Sequence, residues 1–152
     1  MSISNAYNFN SIDAGLSTAG LLSPEQLASL RDEGYEVVIN LLPDDSEYAI
    51  PSEQQIIEQQ GVEYHYIPVD FAAPEKRDYH AFEKHLGASR GRKTLVHCAA
   101  NYRVSAFYAI YAHRHLGWTT EQAQSFIHNQ WQPREHPPWQ QFVTVMLAEQ
   151  AV

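Results

Sequence analysis

Lys93-Thr94-Leu95-Val96-His97-Cys98-Ala99-Ala100-Asn101-Tyr102-Arg103-Val104-Ser105 is the stretch on which the fold turns. Lys93 to His97 read as a short buried strand that runs straight into Cys98. From Val104 to Leu116 the chain is apolar nearly all round, through Val104, Ala106, Phe107, Ala109, Ile110 and Ala112. That pattern belongs to a helix in the middle of a domain. A strand, a tight loop and a helix in this order build a parallel sheet, whose ligands bind at the carboxyl ends of its strands. Free amides of such a loop and of the helix N-terminus favour an anion, and the same field favours a thiolate at Cys98. A thiolate attacks phosphorus or sulfur readily. Arg103 offers a planar, permanently charged fork for phosphate oxygens.

Upstream, the strand and helix signals alternate. Ser23-Pro24-Glu25-Gln26 reads as a capping box, with Leu22 and Leu27 placed for a hydrophobic staple and Gly34 as the stop. Tyr35 to Leu42 is a β-branched apolar run between Gly34 and Pro43, hence a buried strand. Ser52 and Gln55 suggest a second capping box on a helix that stops at Gly61. Val62 to Val69 reads as another strand, Asp70 to Asp78 as a loop, and Tyr79 to Leu86 as a helix. Downstream, Gly117 ends the apolar helix, and Thr119 with Gln122 caps the next one, whose inward face carries Ala123, Phe126, Ile127 and Trp131. Pro133, Pro137 and Pro138 set off a last helix with Phe142, Val145 and Met146 inward. The expectation is an α/β fold of three layers, with a mainly parallel central sheet of about four strands flanked by helices, in a single domain over residues 1–152.

Composition narrows the function classes. The chain is 44% hydrophobic and 18% charged, ordinary values for a soluble globule. No run of about 18 apolar residues occurs, so no membrane span or membrane partner is expected. The polar opening, Met1 to Ser11, lacks the apolar stretch of a secretory leader, and a cytoplasmic location is expected. Net charge is −8, divided into −12 over residues 1–75 and +4 over residues 76–152, the half that contains Cys98. The overall sign argues against non-specific nucleic-acid binding. With one cysteine no internal disulfide can form, and a thiolate metal site lacks a second sulfur. His113 and His115 lie two apart on a helix and face different ways. No metal and no cofactor are expected. Oligomeric state is silent.

The quoted stretch resembles the phosphate-binding loop of the protein tyrosine phosphatase superfamily, H-C-x-x-G-x-x-R-[ST], in its small dual-specificity branch. The order of Val37 to Pro43, the helix to Gly61, Tyr64 to Asp70, the loop with Pro74, Phe82 and the strand into His97-Cys98 is similar to that branch. Ser17-Thr18-Ala19-Gly20, Asn40-Leu41 and His97-Cys98-Ala99-Ala100-Asn101 look much like the bacterial beta-lactamase hydrolase-like phosphatase-domain family. The likeness extends over roughly residues 14–132, about four-fifths of a domain of this size. By this resemblance Cys98 is the nucleophile and Ser105 the hydroxyl that assists the thiolate as leaving group. Ala99, Ala100, Asn101, Tyr102 and Val104 form the phosphate-binding loop, and His97 supports it from behind. Asn101 replaces the family glycine, a tolerable change because asparagine enters the left-handed region more easily than most residues.

The family arginine belongs where Val104 stands; Arg103 is one position early. Either the loop is one residue tighter, with Arg103 turned inward as in the ring size of rhodaneses, or the loop keeps its length and Arg103 points elsewhere. Asp70 matches the family general acid, with Glu75 and Asp78 as second choices on the same loop. The resemblance therefore implies a cysteine-dependent phosphatase that hydrolyses phosphomonoesters through a cysteinyl-phosphate. The partner is a phosphorylated substrate or a small oxyanion such as phosphate or sulfate. Two other functions fit the displaced arginine: a catalytically impaired phosphate- or sulfate-binding pseudophosphatase module, and a rhodanese-type sulfurtransferase.

Overall fold

The computed structural model describes residues 2–149. Five strands form one sheet: β1 (Asn10–Asp13), β2 (Leu16–Ala19), β3 (Val37–Asn40), β4 (Glu63–Tyr66) and β5 (Thr94–His97). The spatial order is β1-β2-β5-β3-β4, with β1 antiparallel to β2 and every other pairing parallel. The helices are α1 (Pro24–Ala28), α2 (Glu53–Glu58), α3 (Lys76–Ala88), α4 (Tyr102–His115), α5 (Thr120–His128) and α6 (Pro137–Ala148).

Layering follows from the period of two along the central strands. Val37, Ile39 and Val96 point into one core with residues of α3, α4, α5 and α6. Val38 and Leu95 point into a second core with Leu27, Leu30 and Ile57 from the α1–α2 side. Both faces are covered, so β3 and β5 are buried along their whole length, as parallel strands require.

Several readings are refined by the structure. The sheet has five strands rather than about four, because β1 and β2 carry polar, small residues (Asn-Ser-Ile-Asp and Leu-Ser-Thr-Ala) without a β-branched apolar run. They are joined by a tight turn in which Asp13 accepts the Gly15 N–H at 2.7 Å. The capping boxes at Ser23–Gln26 and Thr119–Gln122 are both present. Ser52 makes no side-chain cap, since it sits in the left-handed region at φ 64°, where its hydroxyl cannot reach the helix end. Val145 is 40% exposed. The inward stripe of α6 is Trp139, Phe142, Val143, Met146 and Leu147, a helical spacing that leaves Val145 outside.

Register sets the place where chemistry can occur. Ala19 and Asn40 both pair with His97, and Asn40 pairs with Tyr66. The carboxyl ends of four parallel strands therefore lie in one row, and the segments leaving them converge around Cys98. Among the described residues no helix is long and apolar enough to cross a membrane, and no cluster of three or more His, Cys, Asp or Glu side chains could hold a metal ion.

Candidate active site

Cys98 lies at the floor of this convergence with 0% of its surface exposed. Beyond it the chain turns through Ala99 and Ala100 to Asn101, which adopts φ 68° and ψ 13° as the residue before α4. The left-handed conformation that the family glycine would supply is thus taken by asparagine. Among the described residues, none of the six backbone N–H groups from Ala99 to Val104 donates to a protein acceptor. Three of them belong to the first turn of α4, whose amides have no partner within the helix, and free N–H groups at a strand-to-helix turn suit an anion.

The loop is held from outside by its neighbours. Asn8, itself at φ 52°, donates from Nδ2 to the Ala100 carbonyl at 2.9 Å, and Asn101 Nδ2 donates back to the Asn8 carbonyl at 2.9 Å. The same Nδ2 lies 3.0 Å from Thr18 Oγ1. At Gly20 a Cβ would stand 2.7 Å from the Ala99 carbonyl oxygen, so only glycine lets β2 run on so close to the loop. Leu21 N–H then donates to that carbonyl at 2.8 Å.

Arg103 is turned toward the segment after β4. It belongs to the first turn of α4, and its Nε donates to the Val69 carbonyl at 2.8 Å, while its guanidinium lies over the Phe71 ring at 5.1 Å. The side chain is tied to the segment after β4, and its terminal nitrogens bond to no described residue. Val104, at the family arginine's position, is fully buried in the core. Arg103 lines a cleft of about 800 Å³ together with Asp70, Asp45, Ser46, Glu135 and His136.

Asp70 is exposed at this cleft. Its Oδ1 accepts the Ala72 N–H at 2.9 Å, which leaves Oδ2 toward solvent. Glu75 pairs with Arg77 and Asp78 sits on the first turn of α3; neither lines the cleft. Burial, and then the neighbouring Glu75, hold the Asp78 carboxyl above its ordinary value. Ser105 makes no hydrogen bond to the sulfur. Its hydroxyl donates to the Tyr102 carbonyl and accepts from Trp131 Nε1, each at 3.0 Å. Tyr102 stacks on Trp131 with ring centroids 4.7 Å apart. A second hollow, lined by Tyr7, Leu21, Tyr48, Ala99 and Ala100, meets the loop from the other side.

Behind the loop, His97 Nε2 lies 2.6 Å from Glu53 Oε2, both side chains being nearly fully buried. Nothing in the sequence around Glu53, which lies between the cap candidates Ser52 and Gln55, marks it as a site residue. A helix-start acid beside an apolar run is an ordinary solvated residue by pattern, and only the left-handed turn at Ser52 carries it inward. Removing one partner of a buried pair leaves the other uncompensated. Glu53→Ala is expected to cost about 3 kcal/mol of stability, and Glu53→Gln, which keeps a hydrogen bond, about half of that. Thermal unfolding checks this; an unchanged melting temperature in Glu53→Ala would remove the pair from the fold's support. Phe71, His136 and Trp139 were also missed as site residues, since each is a single aromatic whose partners are distant in sequence.

No family model matches the chain, and no curated protein matches it. Solved structures do. A candidate phosphatase of the DUF442 family from Shewanella putrefaciens CN-32 is 33% identical, with 97% of this chain and 96% of that chain covered and a TM-score of 0.85. TpbA from P. aeruginosa is 18% identical over 91% of this chain and 84% of that chain, with a TM-score of 0.73. The catalytic domain of the S. cerevisiae PP-IP phosphatase SIW14 is 11% identical over 91% and 85%, with a TM-score of 0.75. The last two share the fold alone. At the identity and coverage of the first, the chain belongs to the DUF442 family of phosphatases, built on the fold of the protein tyrosine phosphatase superfamily.

Proposed function

We propose that the protein hydrolyses phosphomonoesters through a cysteinyl-phosphate on Cys98. The observation that carries this reading is the run of six unpaired N–H groups from Ala99 to Val104, following the strand that ends at His97, next to Cys98. In the first step the Cys98 thiolate attacks phosphorus, the P–O bond to the alcohol breaks, and Asp70 gives its proton to the leaving oxygen. Loop amides and the terminal nitrogens of Arg103 hold the equatorial oxygens. In the second step water attacks phosphorus, the P–S bond breaks, and Asp70 takes the proton from water. His97, braced by Glu53, fixes the strand end from which the sulfur projects. Ser105 acts here by fixing the start of α4 against Trp131 rather than by touching sulfur.

A non-catalytic oxyanion-binding module is the second reading. It is favoured by Val104 in the arginine position and by the closed sulfur. Turnover of p-nitrophenyl phosphate separates the two. On the enzymatic reading, Arg103→Ala lowers kcat/KM by about a hundredfold or more, the usual result of removing one donor from a pre-organised oxyanion site. Absence of turnover in wild type, with phosphate still raising the melting temperature, would establish the binding module instead.

A further inference from the structure

Among the described residues, three other than glycine adopt the left-handed conformation: Asn8 (φ 52°), Ser52 (φ 64°) and Asn101 (φ 68°). Such backbone is uncommon and tends to gather at functional sites. Ser52 brings Glu53 to His97, and Asn8 and Asn101 grip each other at the loop after Cys98. Asn101 carries a further cost. Its Oδ1 is buried without a hydrogen-bond partner, whereas glycine would take the same φ with no orphaned acceptor. What the asparagine adds is its Nδ2 end, which meets the Asn8 carbonyl at 2.9 Å and Thr18 Oγ1 at 3.0 Å.

The grip has a direction. In a trans peptide the carbonyl and the N–H that follows it point opposite ways. Asn8 Nδ2 holds the Ala100 carbonyl at 2.9 Å, so the Asn101 N–H is turned away from the N-terminal segment. The Leu21 N–H holds the Ala99 carbonyl at 2.8 Å and does the same for the Ala100 N–H. Both amides belong to the unpaired run of the loop. Asn8 can serve as a fixed point because its own segment is anchored elsewhere. Ile3 is fully buried, and its N–H donates to the two Glu33 carboxylate oxygens at 3.2 and 3.0 Å. Gln26 Nε2 donates to the Ser2 carbonyl at 3.1 Å, and the Gly20 N–H to the Tyr7 carbonyl at 2.7 Å. We infer that Asn8 is a positioning residue for the reaction: it acts through the Ala100–Asn101 peptide and aims the Asn101 N–H at the bound oxyanion. The inference rests on the oxyanion cradle of the phosphatase reading and gives that cradle a support from outside the loop.

Asn8→Gly in the full chain tests this, because glycine keeps the positive φ and removes the Nδ2 donor. Outright removal of one donor from an oxyanion site costs about a hundredfold or more in rate, so turning one aside should cost about tenfold. The expected result, per folded molecule, is a kcat/KM for p-nitrophenyl phosphate about tenfold below wild type, together with weaker binding of inorganic phosphate. Asn101→Gly removes the other half of the grip, so the double variant should lose little more than either single one. A brace that served stability alone would lower the melting temperature and leave kcat/KM and phosphate affinity as in wild type. That result would overturn the assignment, as would losses that multiply in full in the double variant. If wild type binds phosphate without turnover, the cysteinyl-phosphate falls, and the phosphate affinities of wild type and Asn8→Gly alone decide for or against Asn8. A wild type that neither turns over nor binds phosphate overturns both.

Discussion

Cys98→Ser is expected to lower turnover of p-nitrophenyl phosphate by about a thousandfold or more while leaving phosphate able to raise the melting temperature. Serine keeps the size and position of the nucleophile but not its anion, because among the described residues no general base hydrogen-bonds to the Cys98 side chain to take the hydroxyl proton. His97, the nearest titratable neighbour in sequence, has Nε2 committed to Glu53. Loop amides and Arg103 remain in the variant, so oxyanion binding should survive the loss of chemistry. The competing account treats Cys98 as a small core hydrophobe, consistent with its 0% exposure and its place among Val96, Val104 and Ala106. That account makes the opposite prediction. Serine would then destabilise by introducing a buried hydroxyl, alanine would be tolerated better, and the rate per folded molecule would be equal in all three proteins. Measuring melting temperature and turnover on the same preparations separates the two, and equal rates in wild type and Cys98→Ser would take the sulfur out of the mechanism.

How much of this site was legible depends on how local its signals are. The strand into Cys98, the left-handed asparagine at Asn101 and the apolar helix after Arg103 are written in consecutive residues, and each is found as read. The two genuine capping boxes are equally local. What the chain does not spell out is pairing over distance. Asn8 and Asn101 clasp each other from positions 93 apart, and Glu53 reaches His97 across 44 residues. Arg103 shows the limit from the other side: its position in the sequence is plain, but its direction is set by the Val69 carbonyl and the Phe71 ring, which only the folding of the β4–α3 loop brings near. The polar hairpin of β1 and β2 escaped for a related reason, since β1 is held by pairing with β2, and β2 by pairing with β5, rather than by their own apolar pattern.

Trp139→Ala is expected to cost about 3–5 kcal/mol, the range for truncating a buried large aromatic, or a fall in melting temperature on the order of 10 °C for a chain of this size. The indole is 0% exposed and packs against Phe71, Phe107, Trp131 and Phe142, with centroids 5.6, 5.9, 5.9 and 5.8 Å away. Its Nε1 also donates to the Phe71 carbonyl at 2.7 Å. That bond matters to function because Phe71 follows Asp70 directly and supports the Arg103 guanidinium on its ring. A conservative change therefore separates packing from positioning. Trp139→Phe keeps most of the apolar contact but leaves the Phe71 carbonyl without its donor, a loss of about 1–2 kcal/mol. At a temperature where this variant remains folded, turnover of p-nitrophenyl phosphate should still fall, since the loop carrying Asp70 is no longer tied to α6. If Trp139→Phe instead loses stability with kcat and KM unchanged, the indole holds the core together without setting the geometry of the cleft.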